Sequence, residues 1–174
     1  MASVVIPSSL ENFELFIESD RSLGTVDITL PKLTAKTVDV EGAGIGGTIS
    51  LPTQGQTDNL EVEVNFRVVT DSTIKLAQIK AHALEAYGAI NCWNASEGVY
   101  QTKQVRVSMR AIPSEFDLGK LASASTMDHK VTMTLSYLKV SVDGTKMIEI
   151  DKFNYIQYLY GTDYLAATKA ALGL

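Results

Sequence analysis

Three glycines in a G-x-G-x-x-G spacing, Gly42, Gly44 and Gly47, are the most chemically suggestive pattern in this chain of 174 residues. Such a loop cradles a dinucleotide pyrophosphate only when a strand enters it and a helix N-terminus leaves it. Here Thr48-Ile49-Ser50-Leu51-Pro52 follows, a strand-like run closed by proline, so the required helix is missing. The glycines read instead as a flexible hairpin tip that tolerates positive φ or close backbone approach. His82 and His129 lie far apart, with no partners at metal-ligand spacing, and read as packed or solvated side chains. Glu61 and Glu63 share a strand face, where they would suit general acid–base work, but a wet strand face is the commoner meaning. No G-x-S-x-G elbow exists, Gly119-Lys120 is not part of a Walker sequence, and Asn94-Ala95-Ser96 is a chance glycosylation match. The sequence therefore predicts no catalytic group, metal or cofactor, and no enzyme.

The bulk numbers point the same way. Hydrophobic residues make up 45% and charged residues 20%, enough for one well-buried domain over residues 1–174. A net charge of −5 gives no electrostatic reason to grip a phosphate backbone. The lone Cys92 excludes an intrachain disulfide and reads as a small buried apolar residue. No signal peptide or membrane-length apolar run is expected, which places synthesis in the cytoplasm of the producing cell.

The dominant period is two. Leu60, Val62, Val64, Phe66 and Val68 alternate with Glu61, Glu63, Asn65 and Arg67. Val105, Val107, Met109 and Ala111 repeat the pattern, as do Val131, Met133, Leu135 and Tyr137 against Thr132, Thr134 and Ser136. Shorter alternating runs lie at 13–17 and 26–30. Each is a strand with one buried and one wet face. Asp143-Gly144 predicts a hairpin turn into a strand at 146–151. After Tyr137 the apolar phase switches to Leu138, Val140 and Val142, which predicts a bulge or a strand that changes sheets. Residues 70–84 read as an amphipathic helix capped by Thr70 or Asp71, and 162–172 as a shorter one capped by Thr162 or Asp163 and ended by Gly173. The expected fold is mainly β: two antiparallel sheets in a sandwich or partial barrel, with one flanking helix and a short C-terminal one.

Particular segments carry a family resemblance. Tyr137-Leu138-Lys139-Val140-Ser141-Val142-Asp143-Gly144, then Glu149-Ile150-Asp151, Gly161-Thr162-Asp163-Tyr164-Leu165-Ala166 and the terminal Leu172-Gly173-Leu174 resemble the end of the major tail tube proteins of contractile-tailed phages and R-type pyocins. Asn12-Phe13-Glu14-Leu15-Phe16-Ile17 and the run from Thr29-Leu30-Pro31-Lys32 to Thr37 resemble the start of the same family. The chain departs from it at Ser19-Asp20-Arg21, where an Asp-Gly turn is usual, and in the aromatic stretch 153–160.

The resemblance implies hexameric rings that stack into a hollow tube, with strands from all subunits joined in one inner barrel. It implies a contractile sheath around the tube, a baseplate or spike hub and a tail terminator at its ends, and passage of DNA without specific binding in a phage. The location implied is the tail or bacteriocin particle, with no stable membrane anchor. Under that reading residues 38–51 form a hairpin extension that reaches another copy. Its contact residues would be Val38, Asp39, Glu41, Gly42, Ala43, Gly44, Ile45, Gly46, Gly47 and Thr48. Residues 1–11 and the terminal helix are the other contact segments. The bore would be lined by Glu61, Glu63, Asn65 and Arg67, or by Thr132, Thr134 and Ser136. The alternatives are the hexameric ring protein of type VI secretion, a monomeric ligand-binding β-sandwich, and a nucleotide-dependent enzyme using the glycine loop.

Overall fold

A computed structural model describes residues 4–22 and 24–174. The chain runs through β1 (Val5–Ile17), β2 (Asp20–Ser22), β3 (Thr25–Thr29), β4 (Ala35–Val40), β5 (Ile49–Thr57), β6 (Glu61–Phe66), α1 (Asp71–Lys75), β7 (His82–Asn94), β8 (Val99–Asp117), β9 (His129–Val142), β10 (Thr145–Asp151), β11 (Ile156–Leu159), β12 (Thr162–Asp163) and α2 (Ala166–Ala171). Among the described residues all pairings are antiparallel, and β4 and β5 pair only with each other. Every other strand belongs to one branched sheet.

The branch point explains the switch of apolar phase. The first half of β9 pairs β6, from Phe66↔His129 to Glu61↔Thr134, and its second half pairs β10, from Asp151↔Tyr137 to Thr145↔Val142. On its other edge β9 pairs β8 throughout, with irregularities between Arg110 and Ala111 and between Pro113 and Glu115. Ser136 is the extra residue at the first irregularity; its hydroxyl donates to the Arg110 carbonyl at 3.3 Å. Ser114 fills the second and donates to the Thr132 carbonyl at 3.1 Å. One added residue moves later side chains to the opposite face, so Leu135 and Leu138 both reach the core. Bulges bend a strand, and these two fold the sheet over itself into a partial barrel.

The core lies inside that fold, between Val62, Val64 and Phe66 on β6, Val131, Met133 and Leu135 on β9, Val107, Met109 and Ala111 on β8, Leu84 on β7, and Leu15 and Ile17 on β1. Cys92 is buried, as its type suggested. Asp143 and Gly144, both at positive φ (48° and 77°), make the two-residue turn between β9 and β10.

The helix expected over 70–84 is much shorter. Thr70 does cap it: its hydroxyl accepts from the Thr73 amide while the Thr73 hydroxyl accepts from the Thr70 amide. The helix ends at Lys75, Leu76 plugs the barrel end with no exposed area, and residues 82–94 form a strand. Helical propensity in an Ala- and Gln-rich stretch is weak next to two full strand ladders, with β1 and β8, that claim β7. Thr70→Ala is expected to cost about 1 kcal/mol, the usual value of such a cap, read as a lower urea midpoint with unchanged slope.

At the C-terminus, Thr162 and Asp163 pair with β11 rather than cap a helix. The Asp163 carboxylate accepts from the amides of Leu165 (3.0 Å) and Gln157 (3.3 Å), and α2 begins after Leu165 with no side-chain cap.

Candidate assembly surface

Both histidines are packed inside. His82 opens β7, with Nδ1 3.0 Å from a Glu18 carboxylate oxygen and Nε2 3.1 Å from the Gln78 carbonyl. His129 stacks on Phe66 and tilts against Phe116, and its Nδ1 donates to the Asp117 carbonyl. No group of three His, Cys, Asp or Glu among the described residues is placed to hold a metal. Strand β5 follows the glycine loop, so the helix that a phosphate cradle needs is replaced by sheet. Within the described residues no helix is long and apolar enough to cross a membrane.

The two alternative rows of bore residues share one surface. Register places Glu61 beside Thr134 and Glu63 beside Thr132, so Glu61, Glu63, Asn65, Thr132 and Thr134 lie on one face of β6 and β9. Thr29 and Asp27 extend it through β3, and Glu115 and Asp117 through β8. Arg67 lies one residue past the β6 ladder, and Ser136 has left the row at its bulge.

This face is predominantly acidic. Asp27 accepts from the Asn65 amide group at 2.7 Å, and Glu61 accepts from Asn59 at 2.8 Å. Lys130 bridges to Glu63 at 3.2 Å. Its pKa is raised first by that hydrogen bond and charge, with Glu115 and Asp117 adding to the effect. Glu63 is thus tied to a lysine.

The sheet that carries this face has two open edges. Among the described residues β3 pairs β6 on one side only. On β8, the ladder to β7 stops at Ala111, while pairing with β9 continues to Asp117, so residues 112–117 expose a second edge. Unpaired N–H and C=O rows of this kind are templates for another strand. Between β3 and β1 an apolar cleft of about 320 Å³, lined by Leu10, Phe13, Ile28 and Leu30, marks the seam where the barrel does not close.

The β4–β5 hairpin is present, with residues 41–48 at its tip. Val38 pairs with Leu51 and Val40 with Ile49, which puts all four on one face. Val38, Ile49 and Leu51 are each about half exposed, at 56%, 51% and 46%. The other face carries Asp39, which accepts from Ser50, and Glu41, which accepts from Thr48 at 3.3 Å. Gly42, Ala43, Gly44, Ile45, Gly46 and Gly47 are exposed at the tip. At the base, Gly55 (φ +78°) sits where an added Cβ would lie 2.1 Å from Leu165 Cδ2, so the segment before α2 clamps the hairpin root. An isolated two-stranded hairpin is marginal in water, and this one keeps its apolar face uncovered.

Of the segment 1–11, residues 1–3 lie outside those described; Val5 to Leu10 form an exposed part of β1, laddered to β7. Helix α2 has no buried side chain.

A polar cluster gathers Tyr137, Lys146 and Glu149 on β9 and β10. The Tyr137 hydroxyl donates to Glu149 at 2.9 Å, and Glu149 also accepts from Lys146 at 2.7 Å. Burial, then the Glu149 hydrogen bond and charge, push the phenol from 10.0 to about 12. The folded state therefore favours the neutral phenol; this contribution is complete below the ordinary value and is lost as pH rises from 10 towards 12. A phenolate absorbance titration of the seven tyrosines is expected to show a late step that Tyr137→Phe removes.

The model of the family described as phage tail tube protein FII matches residues 7–173. The tail tube protein of Escherichia phage P2 is 28% identical over 178 aligned positions, covering 98% of this chain and all of the relative. The major tail tube protein of Serratia phage KSP20 is 29% identical, covering 98% of this chain and 99% of that one. A chain from the extended sheath–tube complex of the extracellular contractile injection system PVC shares the fold at TM-score 0.55 and 12% identity, over 78% of this chain and 91% of its own.

Proposed function

The chain belongs to the phage tail tube protein FII family, and from that premise we propose that its copies join edge to edge into closed hexameric rings that stack as the hollow inner tube of a contractile tail. One observation carries the reading. The four-stranded sheet β3-β6-β9-β8 has a polar face, an apolar back and an open edge on each side. If β3 of one copy pairs with residues 112–117 of the next, every edge is used and a continuous barrel closes around a wet bore. Head-to-tail contacts of this type close when the rotation per subunit divides a full turn.

The bore is then lined by Asp27, Glu61, Glu63, Glu115 and Asp117, with Lys130 as the cation among the described residues of the row. Acidic walls repel a phosphate backbone, so DNA passes without being held. The opposite surface of the long strands faces outwards, towards the sheath, and a tube of this kind ends at a baseplate hub and a terminator. The relatives, phage tail tube proteins, support this machine over a type VI ring, and the open edges support a polymer over a monomeric sandwich.

Thiol labelling tests the bore. In a Cys92→Ser background, Thr134→Cys in assembled tubes is expected to react with a small maleimide and to be shielded at least tenfold from a large polymer-linked one. Equal reactivity in tubes and in free subunits would place this face outside.

A further inference from the structure

The β4–β5 hairpin has a break in its own ladder. Ala35 pairs with Thr57, and the next pair is Thr37 with Pro52. One residue of β4, Lys36, therefore lies opposite four of β5, Thr53 to Gln56. Extra residues of this kind interrupt the ladder and bend the strand that carries them. Gly55 lies inside the run at φ +78°, in the left-handed region. The break divides the hairpin into a root, at residues 35 and 57, and an arm of residues 37–52. The root is tied to the barrel: the Asp58 amide donates to the Thr34 carbonyl at 2.9 Å, and β6 starts at Glu61. Among the described residues the arm pairs with no further strand. Its direction is thus set at the break.

Two side chains from the C-terminal part of the chain meet this break. Leu165 is 8% exposed and packs on Gly55, in the space that a Cβ there would take. Leu165 is itself fixed, because the Asp163 carboxylate accepts from its amide at 3.0 Å. Lys152 Nζ donates to the Asp58 carbonyl at 2.8 Å. Burial, then the charge of Lys36, hold Lys152 below the ordinary lysine value, while Asp58 opposes them. The ammonium therefore lies near Lys36, the residue of β4 opposite the break. Beside these contacts a cleft of about 130 Å³, lined by Gln56, Thr57, Tyr155 and Ile156, leaves the break loosely packed. Helix α2, which follows Leu165, buries no side chain.

We infer that residues 36 and 53–56 are a hinge, and that Leu165 and Lys152 are positioning residues that latch it in one pose. The C-terminal segment then decides where the arm points, although it is remote in sequence. A latched hinge is ordered before any partner arrives, which strengthens association without a new contact. The consequence for assembly rests on the stacked-ring reading; the latch itself is a property of the single subunit.

Distances within the dilute subunit test it. In the Cys92→Ser background, spin labels at Ala43→Cys on the tip and Thr102→Cys on β8 report the pose of the arm. The parent is expected to give one narrow distance distribution. Lys152→Ala, on the surface, and Leu165→Ala are each expected to widen it at least twofold, and Leu165→Met to restore it. A merely structural role would lower the urea midpoint and leave the folded-state distribution narrow. A narrow distribution in both alanine variants would overturn the latch, whether or not tubes form. In the unlabelled chain, the two alanine substitutions together are expected to raise the concentration needed for tubes at least tenfold. Tubes at the ordinary concentration from that variant would overturn the role in assembly. Failure of the unaltered chain to form tubes would instead sink the function reading, and the distance result would still decide the latch.

Discussion

Deletion of residues 43–47 is expected to leave a folded subunit that assembles into rings at most, with no long tubes. The segment lies at the tip of a hairpin that pairs only with itself, and it contributes nothing to the core. Folding therefore has little to lose. Assembly loses the reach of the hairpin and the Ile45 side chain, and the strands behind lose the turn that holds Val38 opposite Leu51 and Val40 opposite Ile49. Covering those four side chains is worth roughly 1 kcal/mol each at their present exposure, so about 4 kcal/mol per contact. That is about a thousandfold in the stacking equilibrium at each contact. Ile49→Glu with Leu51→Glu should act more strongly, because it would bury unpaired charge on docking. Circular dichroism checks the fold and electron microscopy the polymer; tubes of normal length from the deletion would show that the hairpin is not the connector.

Gly119→Ala is expected to destabilise the subunit by about 3 kcal/mol, a large fraction of a typical folding free energy. Gly119 adopts φ +71°, and a Cβ there would stand 1.9 Å from the Met127 carbonyl oxygen and 2.8 Å from its carbon. Both atoms are backbone, so no rotamer change relieves the overlap. The loop is also fixed at both sides: Lys120 donates to that same carbonyl at 2.8 Å, and Met127 donates to Arg67. The left-handed conformation costs a side-chain-bearing residue about 1–2 kcal/mol, and overpacking costs about 1–3 kcal/mol. Gly46→Ala is the control, since nothing lies within 4 Å of its Cβ position. Urea unfolding should show a large midpoint shift for the first and almost none for the second. A change below about 1 kcal/mol at Gly119 would contradict this loop geometry.

The strands with one wet face were legible because alternation is local. Residues 60–66 and 131–135 declared both their period and their buried side, whereas Val68 lies past the strand and is 45% exposed and Tyr137 lies beyond the bulge at Ser136. Asp143-Gly144 announced its hairpin for the same reason. β7 was hidden: Ala, Gln and Lys before it favour a helix, and only its ladders to β1 and β8, remote in sequence, decide otherwise. The first part of β1, with Pro7, Ser8 and Ser9, does not alternate and follows β7 through irregular register. The bore candidates were read as two competing rows because register across β6 and β9 cannot be seen along one strand. Open edges are harder still, since an edge is defined by a partner that the chain lacks. The glycine tip was legible as a turn because its spacing is local.

Electron microscopy of the purified chain over a concentration series measures self-assembly itself. Closure of the β3 and β8 edges predicts annular particles that lengthen into hollow, evenly striated tubes as concentration rises. A single small species at every concentration, with no rings, would contradict the account.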